Sequence, residues 1–97
     1  MTSMTTPAQE PAGADEALVQ SHAAELAQLA ADHGISDLRF ASTGRLIGHI
    51  ADDRDMFDVA AFDVAAERLL GTSVLLLSDT VLSKPNVSAD LVHARAL

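Results

Sequence analysis

The sequence predicts a small α/β (α+β) domain, a short mixed sheet flanked by helices. Apolar residues recur at helical spacing in segments 15–33 and 56–70. Two other segments, ISDLRFAS and SVLLLS, carry the alternating or continuous apolar pattern of strands. Gly34 and Gly71 directly follow the two helical segments, where the chain has to leave a helix.

In order along the chain, residues 1–14, MTSMTTPAQEPAGA, hold two prolines, four Ser or Thr and no large aliphatic beyond methionine. Such a stretch buries too little surface to offset the entropy of ordering, so a disordered tail is expected and 15–97 form the domain. A helix is predicted over 15–33, capped by Asp15, with Leu18, Val19, His22, Leu26 and Leu29 as its apolar stripe. His33 stands at the negative end of its dipole. A strand follows over 35–42, with Leu38 and Phe40 on one face and Arg39 outward.

Ser42 then suggests the N-cap of a short helix, TGRLIGHIA, which Gly44 and Gly48 weaken. Residues 52–55 form an acidic link into the helix at 56–70, whose Val59, Phe62, Ala66 and Leu69 share a face. A buried strand is predicted at 73–78, then a short turn or helix, then a last helix capped by Ser88. Two strands rarely make a stable sheet alone. A further strand near 49–58, or one supplied by a partner, is therefore expected.

Composition excludes several classes. The net charge of −8, a single lysine (Lys84) and five scattered arginines argue against phosphate-directed nucleic-acid binding. Three phenylalanines without Trp or Tyr offer little base stacking. No apolar run approaches a membrane span, the N-terminus lacks the marks of a secretory signal, and no cysteine is present. A cytosolic (cytoplasmic) protein with an acidic surface is expected, suited to a metal ion or a basic protein partner.

The stretch FASTGRLIGHIADDRDMFD, residues 40–58, carries the candidate chemistry. Its layout resembles the minimal nucleotidyltransferase (MNT-type) domains of prokaryotic toxin–antitoxin pairs, in a degenerate or truncated version. That family shows a [LF]-G-S-x-A-R turn, a D-x-D strand, a helix ending in LLG and a strand bearing a third Asp. Ser42 and Arg45 match the turn, with Ala41 and Leu46 in place of its glycines. The family's spacing of eleven residues from that serine lands on Asp53, with Asp55 as its partner. Residues 56–85 follow the later helix and strand almost without gaps, but Leu75 stands at the third acidic position.

The resemblance implies a nucleotidyltransferase-like fold whose catalytic strand is shortened or absent. It also implies catalytic and metal-holding roles for Asp53 and Asp55, and a triphosphate on Ser42, Thr43, Gly44 and Arg45, with Mg and ATP as cofactors if the protein is active. Carboxylates two apart face the same way only on an extended chain, so joint chelation requires 53–55 to be extended. The same residues also read as a solvated linker with Asp55 capping the next helix and Asp58 complementing its dipole.

Two functions follow as expectations. One is a degenerate, partner-binding, antitoxin-like protein, its partner being a toxin-like protein or a second copy. The other is an active Mg-dependent enzyme moving AMP or another nucleotide from NTP to a protein hydroxyl.

Overall fold

A computed structural model describes residues 13–97 of the chain. The expected tail therefore lies outside the described residues except for Gly13 and Ala14. These two belong to the fold, because Ala14 is buried and bonded to the Gly44 backbone in the β1–β2 turn and to the Ser73 backbone ahead of β3.

The helix expected over 15–33 is two helices, α1 (Glu16–Ser21) and α2 (Ala23–Asp32). Asp15 caps α1, its carboxylate accepting the Leu18 N–H at 2.9 Å. The break at His22 has a local cause. The Ser21 hydroxyl donates to the Leu18 carbonyl at 2.7 Å, and the His22 N–H goes to the Val19 carbonyl. A side-chain hydroxyl that competes for backbone acceptors loosens the helical ladder. The apolar stripe survives, with Val19, Leu26 and Ala30 buried. At the end of α2, His33 Nδ1 lies 2.8 Å from the Leu29 carbonyl, and Gly34 follows with φ of 74°.

Strand β1 (Ile35–Ser42) buries Leu38 and Phe40 as the alternation requires. The segment expected as a helix after Ser42 is instead strand β2 (Arg45–Ile50), antiparallel to β1, and Ser42 pairs with Arg45 rather than capping a helix. Gly44, at φ of 79°, lets the chain reverse directly. Leu46 and Ile47 then point to opposite faces, and both are buried. A strand covered on both sides satisfies adjacent apolar residues that a surface helix would split between core and water.

Helix α3 (Met56–Leu70) has the expected bounds and ends at Gly71. Its N-terminus is a capping box in which the Asp55 carboxylate accepts the Phe57 N–H at 3.0 Å and Asp58 accepts the Asp55 N–H at 3.2 Å. Strand β3 (Leu75–Ser78) runs parallel to β2. A 3-10 turn (Asp79–Ser83) and α4 (Ala89–Val92) follow, and β4 (Arg95–Ala96) pairs with β1. The last helix is shorter than expected because Arg95 is drawn to Glu16 by a paired guanidinium–carboxylate contact that holds the chain extended beside β1.

The four-stranded mixed sheet has the order β3-β2-β1-β4, so among the described residues β3 is an edge. The further strand expected near 49–58 falls earlier, as β2 at Arg45–Ile50, and β4 adds a short fourth strand. Helices α1, α2 and α3 cover one face around the fully buried Phe62, with Leu26, Leu46 and Leu76 in the same cluster. Ile47 and Leu91 are buried outside that cluster, where the 79–92 segment packs on the other face. Among the described residues no helix is long and apolar enough to cross a membrane.

Candidate functional site

The hairpin turn holds one half of the residues singled out by sequence. Ser42 ends β1 and Arg45 opens β2. The Ser42 hydroxyl donates to Asp90 Oδ2 at 2.6 Å, and Arg45 Nη1 lies 3.0 Å from the same oxygen. The Ser42 hydrogen bond, then that of Ser88, hold the Asp90 carboxyl below the usual carboxylate range, with Arg45 adding to the effect. Between them, the Gly44 N–H donates to the Ala14 carbonyl at 2.8 Å, and the Gly44 carbonyl accepts from Leu75 N–H at 2.9 Å. The Gly44 N–H and the Ser42 hydroxyl, two donors that would cradle a phosphate, are thus bonded within the protein.

Asp53 and Asp55 stand at the other end of β2. Ile50 pairs with Ile35, and the next residue, Ala51, donates its N–H to the Gly34 carbonyl at 2.9 Å. The stem of Arg54 lies against Gly34. From Arg45 to Ile50 the chain advances roughly 17 Å, five steps of about 3.3 Å. Asp53 is exposed in a turn closed by the Arg54 N–H on the Ala51 carbonyl at 3.0 Å, not on an extended run. Asp55 is engaged as the cap of α3. The structure brings Ser42, Thr43, Gly44 and Arg45 together, and separately places Asp53 near Asp55, but it does not unite the two groups.

Leu75, at the third acidic position implied by the resemblance, opens β3 opposite Arg45 and is half exposed. Among the described residues no group of three or more His, Cys, Asp or Glu is arranged to hold a metal ion. A magnesium ion with a nucleoside triphosphate does not fit these residues. The carboxylates and the phosphate turn lie at opposite ends of one strand, and the turn's Gly44 N–H and Ser42 hydroxyl already have partners.

Two acidic residues that the motif reading passed over matter more to the geometry. Asp90 ties α4 to the hairpin turn through Ser42 and Arg45. Asp63, half-buried on α3, accepts the Leu76 N–H through Oδ1 at 3.0 Å. Burial pushes its carboxyl up to about 6, against the Leu76 hydrogen bond and with some help from Glu67. Its signal in the sequence is an acid flanking the core-facing stripe of Val59, Phe62 and Ala66.

Beside Asp63 runs an open groove of about 700 Å³ between α3 and the β3 edge. Met56, Val59 and Ala60 line it from α3 and residues 75–78 along the β3 edge, with Asp52 and Asp55 also in its lining.

The chain superposes on a solved structure of a protein provisionally named a minimal nucleotidyltransferase. The TM-score is 0.66 at 23% identity, over 86% of this chain and 94% of that one. The likeness shows the fold: a small α+β, nucleotidyltransferase-like domain with a four-stranded mixed sheet. No protein-family model and no curated protein matches the chain.

Proposed function

We propose that this is a non-catalytic, nucleotidyltransferase-like protein of the cytosol that acts by binding a protein partner, as the antitoxin-like half of a toxin–antitoxin-type pair. One observation carries the reading: Ser42–Arg45 and Asp53–Asp55 stand at opposite ends of β2. Nucleotidyl transfer relies on carboxylate-held metal that bridges the same phosphates the turn would cradle. Here the turn is closed by Ala14, Leu75 and Asp90 instead. The acidic surface, −8 overall, favours a basic partner.

The second reading, an active enzyme transferring AMP or another nucleotide to a protein hydroxyl, draws on the fold of the superposed protein. Calorimetric titration with ATP in excess Mg²⁺ decides between them. The non-catalytic reading expects no saturable heat at millimolar ATP. Saturable, metal-dependent binding that is lost when Asp53 and Asp55 are both changed to Ala would sink it in favour of the enzyme.

A further inference from the structure

The geometry points to the α3–β3 groove as the docking site for a basic amphipathic helix of the partner, with an aliphatic row flanked by lysine or arginine. This rests on the partner-binding reading and deepens it by naming the surface and the chemistry of what it takes.

Three features argue for this occupant. First, the lining is largely apolar and open: Met56 on α3 is 75% exposed, and Leu75 at the β3 edge, turned to the sheet face opposite α3, is 51% exposed. Large aliphatic groups left in water gain when a second apolar surface covers them. Second, the charge is one-sided. Asp52, Asp55 and Asp63 line the groove, and its only lining cation among the described residues, Arg54, is paired with Asp58 at 3.2 Å. A basic segment is matched to that field, whereas a second copy of this chain would bring the same carboxylates face to face.

Third, the edge of β3 is guarded against another strand. The Leu76 N–H is one of the outward donors an added strand would use, and Asp63 Oδ1 holds it at 3.0 Å. A helix makes no demand on that donor, because its own backbone bonds are internal. A lysine or arginine from the helix reaches Asp63 without displacing the Leu76 bond, since the carboxylate has a second oxygen.

The test is an NMR titration of the ¹⁵N-labelled full chain with a synthetic amphipathic helical peptide of leucine and lysine. The same peptide with glutamate for every lysine serves as its counterpart. The expected result is saturable shifts confined to amides of 55–63 and 75–78 with the lysine peptide alone. Leu75→Ser and Met56→Ser, both at exposed positions, should each weaken binding roughly tenfold. Asp63→Asn should weaken it as well, and added salt should weaken it further.

Shifts elsewhere, equal binding of the glutamate peptide, or no shifts at millimolar peptide would overturn the proposal. Concentration-dependent shifts at the same amides without peptide would also overturn it, by assigning the groove to a second copy. The two readings fail separately. Metal-dependent ATP binding that is lost with Asp53 and Asp55 would remove the non-catalytic reading and leave the groove mapping standing, while mapping to another face would remove the groove alone.

Discussion

The Gly44 amide donates to the Ala14 carbonyl at 2.8 Å, and the Ala14 amide donates to the Ser73 carbonyl at 3.0 Å. Ala14 thereby bridges the β1–β2 turn and the approach to β3 in the manner of a short extra strand. Gly13 fits there because a Cβ would stand 2.6 Å from Gly44 Cα and 2.9 Å from the Ser73 carbonyl oxygen, both backbone atoms. Gly13→Ala is expected to cost about 1–3 kcal/mol, the range for forcing a methyl into a closed space. Urea denaturation measures it, and a variant as stable as the parent would show that the bridge adds nothing.

Ser42→Ala removes the hydroxyl that Asp90 accepts from and leaves Arg45 as a partner of that carboxylate. A hydrogen bond to a charged group is worth about 1.5–3 kcal/mol, and the retained Arg45 contact puts the expected loss near the lower end. The sign with pH follows from Asp90, whose folded carboxyl lies below its ordinary value. Its contribution is present above about pH 4, the ordinary range for Asp, and is lost as pH falls through the folded value. The variant should therefore lose less stability on acidification than the parent, as read from urea midpoints at a series of pH values.

Helix α3 was legible residue by residue because an uninterrupted apolar period, an aspartate cap and a closing glycine all agreed. Strand β1 was legible for the same reason, its alternation matching its burial at Leu38 and Phe40. β2 was not. Six residues with two adjacent large aliphatics and a central glycine carry neither a clean period of two nor one of 3.6, and only the sheet on either side decides the outcome. That one strand also determines the candidate site. Spacing counted from Ser42 is blind to a hairpin that carries Asp53 back to the far end of the sheet. β4 was illegible because two residues have no periodicity, and its position depends on Arg95 meeting Glu16, far away in the chain.

Asp63→Asn keeps an oxygen for the Leu76 N–H and removes a charge that burial opposes. The folded carboxyl, at about 6, is above its unfolded value of about 3.9, so the folded state holds the proton more tightly. Stability from this group is present below about pH 4 and is lost as pH rises through about 6. The variant should match the parent near pH 4 and exceed it by about 1 kcal/mol at pH 7.5, the group's partial exposure keeping the gain small. Equal stability of the two proteins at both pH values would mean that water reaches the carboxylate freely.

Leu75→Asp restores an acid at the third position of the resemblance and tests whether that is all the site lacks. In the fold, residue 75 is paired across the sheet with Arg45, whose other partner is Asp90. The new carboxylate would find a guanidinium as its cross-strand neighbour. Exposed cross-strand ion pairs are worth about 0.2–1 kcal/mol, so stability should change little. Asp53 and Asp55 remain beyond the other end of β2, so titration of this variant with ATP and Mg²⁺ should stay silent, like that of the parent. Metal-dependent binding gained by this single change would mean that the hairpin turn with Asp90 and residue 75 can hold a nucleotide without the acidic link.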